Sequence, residues 1–184
     1  MTFRNTTRSW GALAKAVHWI IVILIIVQWI IAERADDLPL GLAKLQMLAW
    51  HKSFGMTVLM LAVVRLIWRW MNPTPDLTAE TKPWERVLAK LSHVLLYGLI
   101  FAMPLTGWLM SSAKNFPVSW FKLFQFPDLI QPDEAAFHRF RDLHHLLFKV
   151  LVVVAALHIA GALKHHFIDK NAVLKRMLPF GGVK

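Results

Sequence analysis

Four stretches of the chain are almost continuously apolar, and polar residues collect between them. They run from about Ala16 to Ala32, His51 to Trp70, Val87 to Met110 and Leu143 to Leu163. Each approaches the ~20 residues that a helix needs to cross ~30 Å of hydrocarbon. A backbone that crosses lipid must satisfy its own hydrogen bonds, so four such stretches predict four helices. The expected fold is all-α, an integral membrane four-helix bundle forming one domain over residues 1–184. Pro104 falls inside the third stretch and predicts a kink there. No small-residue cleavage site follows "IIVILIIVQWIIA", so the first stretch reads as a retained span rather than a signal peptide.

The connections differ in character. "ERADDLPLGLAK" is short and slightly acidic, and "KPWER" at the end of the second connection reads as a helix start. The long connection from Ser111 to Asp142 is broken by prolines and predicts a surface layer with a short amphipathic segment near Trp120 to Phe124. Of the 21 lysines and arginines, thirteen flank the side that carries both termini and seven flank the other; Lys149 lies within the fourth stretch. That bias places both termini in the cytoplasm.

Orientation gives each histidine a depth. His18 and His158 fall near the inner face, and His51 and His144 near the outer face. On the fourth stretch, His144 and His158 are 14 residues apart, which brings them within about 40° in direction and separates them by ~21 Å. His145 points elsewhere by the same arithmetic. Two pairs result, His18 with His158 and His51 with His144. An imidazole inside a membrane is costly unless it is paired or ligates something. Two facing imidazoles without thiolates or carboxylates suit axial ligation of haem iron. The alternative is that each ring merely bonds a neighbouring helix.

Composition narrows the choices further. Hydrophobic residues make up 57% and charged residues 17%, below the share of a soluble domain. Several of the nine tryptophans lie near the ends of the apolar runs, as an interfacial belt requires. The net charge of +10 is explained by cations beside the spans, and no nucleic-acid partner is expected. The absence of cysteine excludes disulfides, thiolate-held iron–sulfur clusters and covalent c-type haem.

The ordered set "AVHW", "WHKSFGMTVLMLAVVRLIWR", "LSHVLLYGLIFAMPLTG" and "LHHLLFKVLVVVAALHIAGALKHHF" resembles the bacterial cytochrome b561 family over nearly the whole chain. The resemblance implies a multi-pass protein of the bacterial inner membrane that binds two haem b. Its ligand positions match His18 and His158 for one haem and His51 and His144 for the other. It further implies electron exchange with ubiquinone. One branch oxidises superoxide; others are quinone-linked cytochromes, sometimes associated with a periplasmic redox or isoprenoid-binding protein.

For superoxide, the relevant feature is positive charge near the outer pair. Lys52, Arg139 and Arg141 are the candidates for steering the anion, with Lys114 and Lys122 in the long connection. The same groups equally suit haem propionates or lipid phosphate. His93 and His165 are candidates for contact with haem or quinone on the inner side, with His166 and Trp19 nearby, while His138 and His145 read as surface groups. Three functions remain open: a superoxide:ubiquinone oxidoreductase, a quinol-linked carrier for a periplasmic partner, and a haem-free structural or transport bundle.

Overall fold

The computed structural model describes residues 2–76 and 81–179; Lys184, counted above for orientation, lies outside them. The order of elements is α1 (Ala12–Asp36), α2 (Leu42–Met71), α3 (Pro83–Ala113), β1 (Val118–Trp120), β2 (Phe124–Phe126), α4 (Glu134–Phe167) and α5 (Val173–Met177). Helices α1 to α4 are each long and apolar enough to cross a membrane. Their most apolar windows are at most 22% buried, so most of that apolar surface faces outward, as a lipid-embedded chain requires.

All four long helices exceed the stretches expected from hydropathy. Hydropathy marks only the part that lipid would touch, whereas capping sets where the backbone stops. α3 begins at Pro83, the position where a missing N–H costs nothing, and Glu85 turns back to accept from Lys82 N at 3.1 Å. Asp133 caps α4 by accepting from Ala136 N at 2.7 Å, and Glu134 complements the first turn. The fourth helix therefore starts nine residues before Leu143, and Arg139 and Arg141 stand on a helix rather than in a connection. At the end of α2, Asn72 Nδ2 donates to Trp68 O at 3.0 Å before Pro73 stops the helix. α3 remains helical through Pro104.

The segment expected near Trp120 to Phe124 takes the form of an antiparallel hairpin, with Val118 opposite Phe126 and Trp120 opposite Phe124. Its turn places Phe121 (φ 47°) and Lys122 (φ 63°) in the left-handed region, which the fold must hold against steric preference. No glycine or asparagine announces this turn, so the sequence pattern conceals it.

The chain divides into two compact units. The first contains residues 2–20, 63–98 and 150–179, and the second residues 21–62 and 99–149. In the first, Asn5 ties the N-terminal segment down: its Oδ1 accepts from Gly11 N at 2.9 Å and its Nδ2 donates to Pro73 O at 3.1 Å. In the second, the hairpin is fastened to α2. The hydroxyl of Ser53 contacts Ala49 O and Ser119 O, each at 2.9 Å, and accepts from Phe121 N at 3.0 Å. Trp120 Nε1 donates to Thr57 Oγ1 at 3.0 Å.

Ser53→Ala removes the acceptor for the strained Phe121 amide. Leaving a buried donor unmet costs about 1–3 kcal/mol. Hydrogen exchange should show protection lost at Phe121 and its hairpin neighbours while α1 keeps its own; unchanged protection at the hairpin would contradict this role for Ser53.

Candidate functional site

In the second unit, His51 on α2 and His144 on α4 face each other. Their ring centres are 6.4 Å apart, with planes at 74°. Two imidazoles sharing a metal through Nε2, with bonds of about 2.0 Å, have ring centres about 6 Å apart. The spacing therefore admits an iron between them.

The opposite nitrogens are already engaged. Thr106 Oγ1 lies 2.8 Å from Ala102 O and 2.9 Å from Met103 O, carbonyls that can only accept, so the hydroxyl hydrogen goes there. Towards His144 Nδ1, at 3.1 Å, the same oxygen must accept. This fixes the His144 tautomer as Nδ1–H and leaves Nε2 with its lone pair for a metal. His51 Nδ1 lies 3.2 Å from the main-chain carbonyl of Gln28, again an acceptor only. With its NH2 turned towards His51, the Gln28 carboxamide donates to His51 O at 2.8 Å and accepts from Gly55 N at 2.5 Å. That NH2 also lies 2.8 Å from Nδ1; the metal-binding tautomer is the one whose Nδ1–H goes to the main-chain carbonyl.

Two glycines make the room. A Cβ at Gly107 would meet His144 Cε1 at 3.3 Å, and one at Gly55 would meet the Gln28 amide at 3.0 Å. Gly107 and Thr106 thus hold the His144 ring from adjacent positions on α3.

In the first unit the geometry is different. The ring contact is between His93 and His158, with centres 5.2 Å apart. That is too close for iron between them and is an ordinary edge contact. His18 lies within electrostatic reach of both rings, and Arg65 acts on all three. His18 also packs on Trp19 at 5.4 Å. The sequence reading paired His18 with His158; the structure adds His93 as a third imidazole in the same neighbourhood.

The remaining candidates are placed as follows. His165 is buried and given to structure: Nδ1 is 2.8 Å from Asp169 Oδ2 and 3.3 Å from Asn171 Nδ2. Lys164 binds Asp169 at 2.9 Å and also Glu85. Its ammonium, with His165 in second place, holds the Asp169 carboxyl below the ordinary range. Glu85, His165 and Asp169 are close enough to share a cation, and Lys164 already supplies the positive charge. Trp19 Nε1 donates to Met177 O at 2.9 Å, so its polar edge is committed to α5.

Lys52 points into the connection after α3. Its Nζ donates to Pro117 O at 2.8 Å and Ser111 Oγ at 3.3 Å. Arg141 pairs with Asp142 at 2.9 Å. Arg139 is exposed and makes no ion pair among the described residues. Of the three cations assigned to steering, only Arg141 has a carboxylate partner among the described residues; Lys52 is held by neutral oxygens and Arg139 makes no ion pair. His138 pairs with Glu134, and His145 is exposed, as a surface role requires.

Thr106, Gly107, Gln28 and Gly55 were not singled out from sequence. Their signals were present: Gln28 is a lone amide within an apolar run, and "LTG" opposes the histidine-bearing helix.

Four apolar spans, with half-buried imidazoles that can offer Nε2 in at least one facing pair, define a multi-pass membrane protein able to hold a metal cofactor. The model of the prokaryotic cytochrome b561 family matches residues 9–180, and the chain belongs to that family. It is therefore a membrane electron carrier of a haem b-binding family. It is 33% identical to cytochrome b561 homolog 2 of Escherichia coli (strain K12), over 97% of this chain and 95% of that protein. It is 27% identical to the probable superoxide oxidase CybB of Yersinia pestis, over 94% and 97% respectively, and 27% identical to cytochrome b561 homolog 1 of Escherichia coli (strain K12), over 89% and 93%.

Thr106→Val keeps the shape but removes the acceptor at His144 Nδ1. Loss of such an outer partner typically weakens a metal ligand's hold by about 10–100-fold. Titration of apoprotein with haem should show one site weakened to that extent, and Thr106→Ser should restore it. Equal affinity in the valine variant would show that the hydroxyl does not set the tautomer.

Proposed function

We propose that the chain is a di-haem b cytochrome of the bacterial inner membrane, with both termini cytoplasmic and all of residues 1–184 in one domain. His51 and His144 would hold one haem, and His18 and His158 the other. The observation that carries this reading is the facing pair in the second unit, with Thr106 holding the His144 Nδ1–H and leaving Nε2 for iron. The first unit supports a second site by its three imidazoles within mutual reach.

Bound haem supplies reversible one-electron exchange at iron. The protein's part would be to hold the iron between two imidazoles, an arrangement suited to electron transfer rather than oxygen binding. The hydrogen bond from His144 Nδ1–H to Thr106 keeps that ring from rotating.

Superoxide is the proposed donor and ubiquinone the proposed acceptor. Two superoxide anions would give two O2 and two electrons, and one quinone would take those electrons with two protons to become quinol. The relative named as a probable superoxide oxidase supports this choice. Arg139 and Lys52 are the cations proposed to attract the anion, since neither meets a carboxylate among the described residues while Arg141 pairs with Asp142. A long-range field of this kind raises encounter rate and weakens with salt.

Purified protein supplied with an enzymatic superoxide source should have its haems reduced, and superoxide dismutase should abolish the reduction. Reduction by quinol alone, with reoxidation only by an added periplasmic protein, would favour the quinol-linked carrier instead. His51→Ala and His144→Ala should each lose about one haem per chain, and His145→Ala none; loss from His145→Ala would break the ligand assignment.

A further inference from the structure

Two cations of the first unit have no role in the account so far. Arg65 and Arg69 stand about one helical turn apart on α2. Both lie over the ring of Tyr97, at 5.7 and 5.4 Å. Arg65 Nη1 donates to Ala14 O at 3.3 Å. Neither guanidinium meets a carboxylate among the described residues. The two arginines line a pocket with Asn5, Trp10, Trp68 and Tyr97. Trp68 Nε1, on a residue of that wall, is buried and has no acceptor among the described residues.

Arg65 also hydrogen-bonds the Tyr97 side chain, yet among the described residues no carboxylate answers the two positive charges. A guanidinium withdrawn from water inside a spanning helix is costly unless an anion meets it. Arginine's planar fork matches the two oxygens of a carboxylate. The pocket is therefore built for an anionic ligand bearing such oxygens. Ala14 and Val17, which share the wall of this pocket, stand one turn before His18 and next to it on α1. A haem b held by imidazoles of this unit carries two carboxylates, so the ligand and the pocket lie in one neighbourhood. A phospholipid phosphate shares the oxygen chemistry but gives no reason for the pocket's place beside His18.

We propose that Arg65 and Arg69 form the carboxylate clamp for the haem of the first unit, with Trp68 Nε1 as a further donor. The inference rests on the di-haem reading above. The two arginines are positioning residues: they fix how the haem sits between its ligands, and their charge favours the reduced iron.

The test uses the full chain, stripped of cofactor and reconstituted with haem b or with its dimethyl ester, in which both carboxylates are blocked. In the wild-type protein the ester should bind one of the two sites about tenfold or more weakly than haem b does. In Arg65→Gln/Arg69→Gln that site should bind haem b weakly, and the ester should cause no further loss. Redox titration of the variant should show one midpoint lowered and the other unchanged; each tenfold change in the reduced-to-oxidised ratio corresponds to about 59 mV. Arg69→Gln alone and Arg65→Lys serve if the double variant does not fold, the first giving a partial shift and the second keeping the charge. If the ester binds both sites as well as haem b, and the variants lose bound phospholipid phosphorus instead, the pocket is a lipid site and the clamp is wrong. A chain that takes up no haem at all overturns the di-haem reading itself, a distinguishable failure.

Discussion

A neutral imidazole in hydrocarbon keeps two polar nitrogens that lipid cannot satisfy, and the rest of this structure follows from how that cost is met. At His144 one nitrogen is given to Thr106, whose own hydrogen is already bound to the carbonyls of the preceding turn. At His51 one nitrogen faces the Gln28 carbonyl. With Nδ1–H so engaged, each ring keeps one lone pair, at Nε2, for a ligand. A ligand that accepts two such lone pairs completes the account, and iron in a porphyrin is the ligand bound by this family. Removing either support would leave the histidine free to choose the wrong tautomer.

The glycines belong to the same constraint. Gly107 is not required for a turn, since it lies inside α3; a Cβ there would crowd the His144 ring, with Cε1 at 3.3 Å. The hairpin of the second unit serves a neighbouring purpose. It holds two residues in left-handed conformations, and that strain is tolerated because Ser53 and Thr57 on α2 meet its polar groups.

Much of this was legible in the residues. Four apolar runs gave four helices, because burial in lipid leaves the backbone no other solution. Helical phase separated His144 from His145, and the structure places His144 opposite His51 while His145 stays exposed. Helix ends were not legible from hydropathy, since Asp133 and Glu85 extend helices through polar sequence. The hairpin was hidden because its turn uses Phe121 and Lys122 rather than glycine. Lys52 adjoins His51 in sequence, but a long side chain goes where acceptors are, here Pro117 O and Ser111 Oγ. Arg65 and Arg69 were counted only as cations setting orientation, because sequence does not show that two charges meet no carboxylate.

The most direct measurement is low-temperature electron paramagnetic resonance of the oxidised protein, taken with a haemochrome count of haem per chain. Two haems per chain, both low-spin ferric with bis-imidazole signals, are the result required here. A single haem, or a high-spin signal from iron with an open axial position, would contradict the assignment of the four histidines.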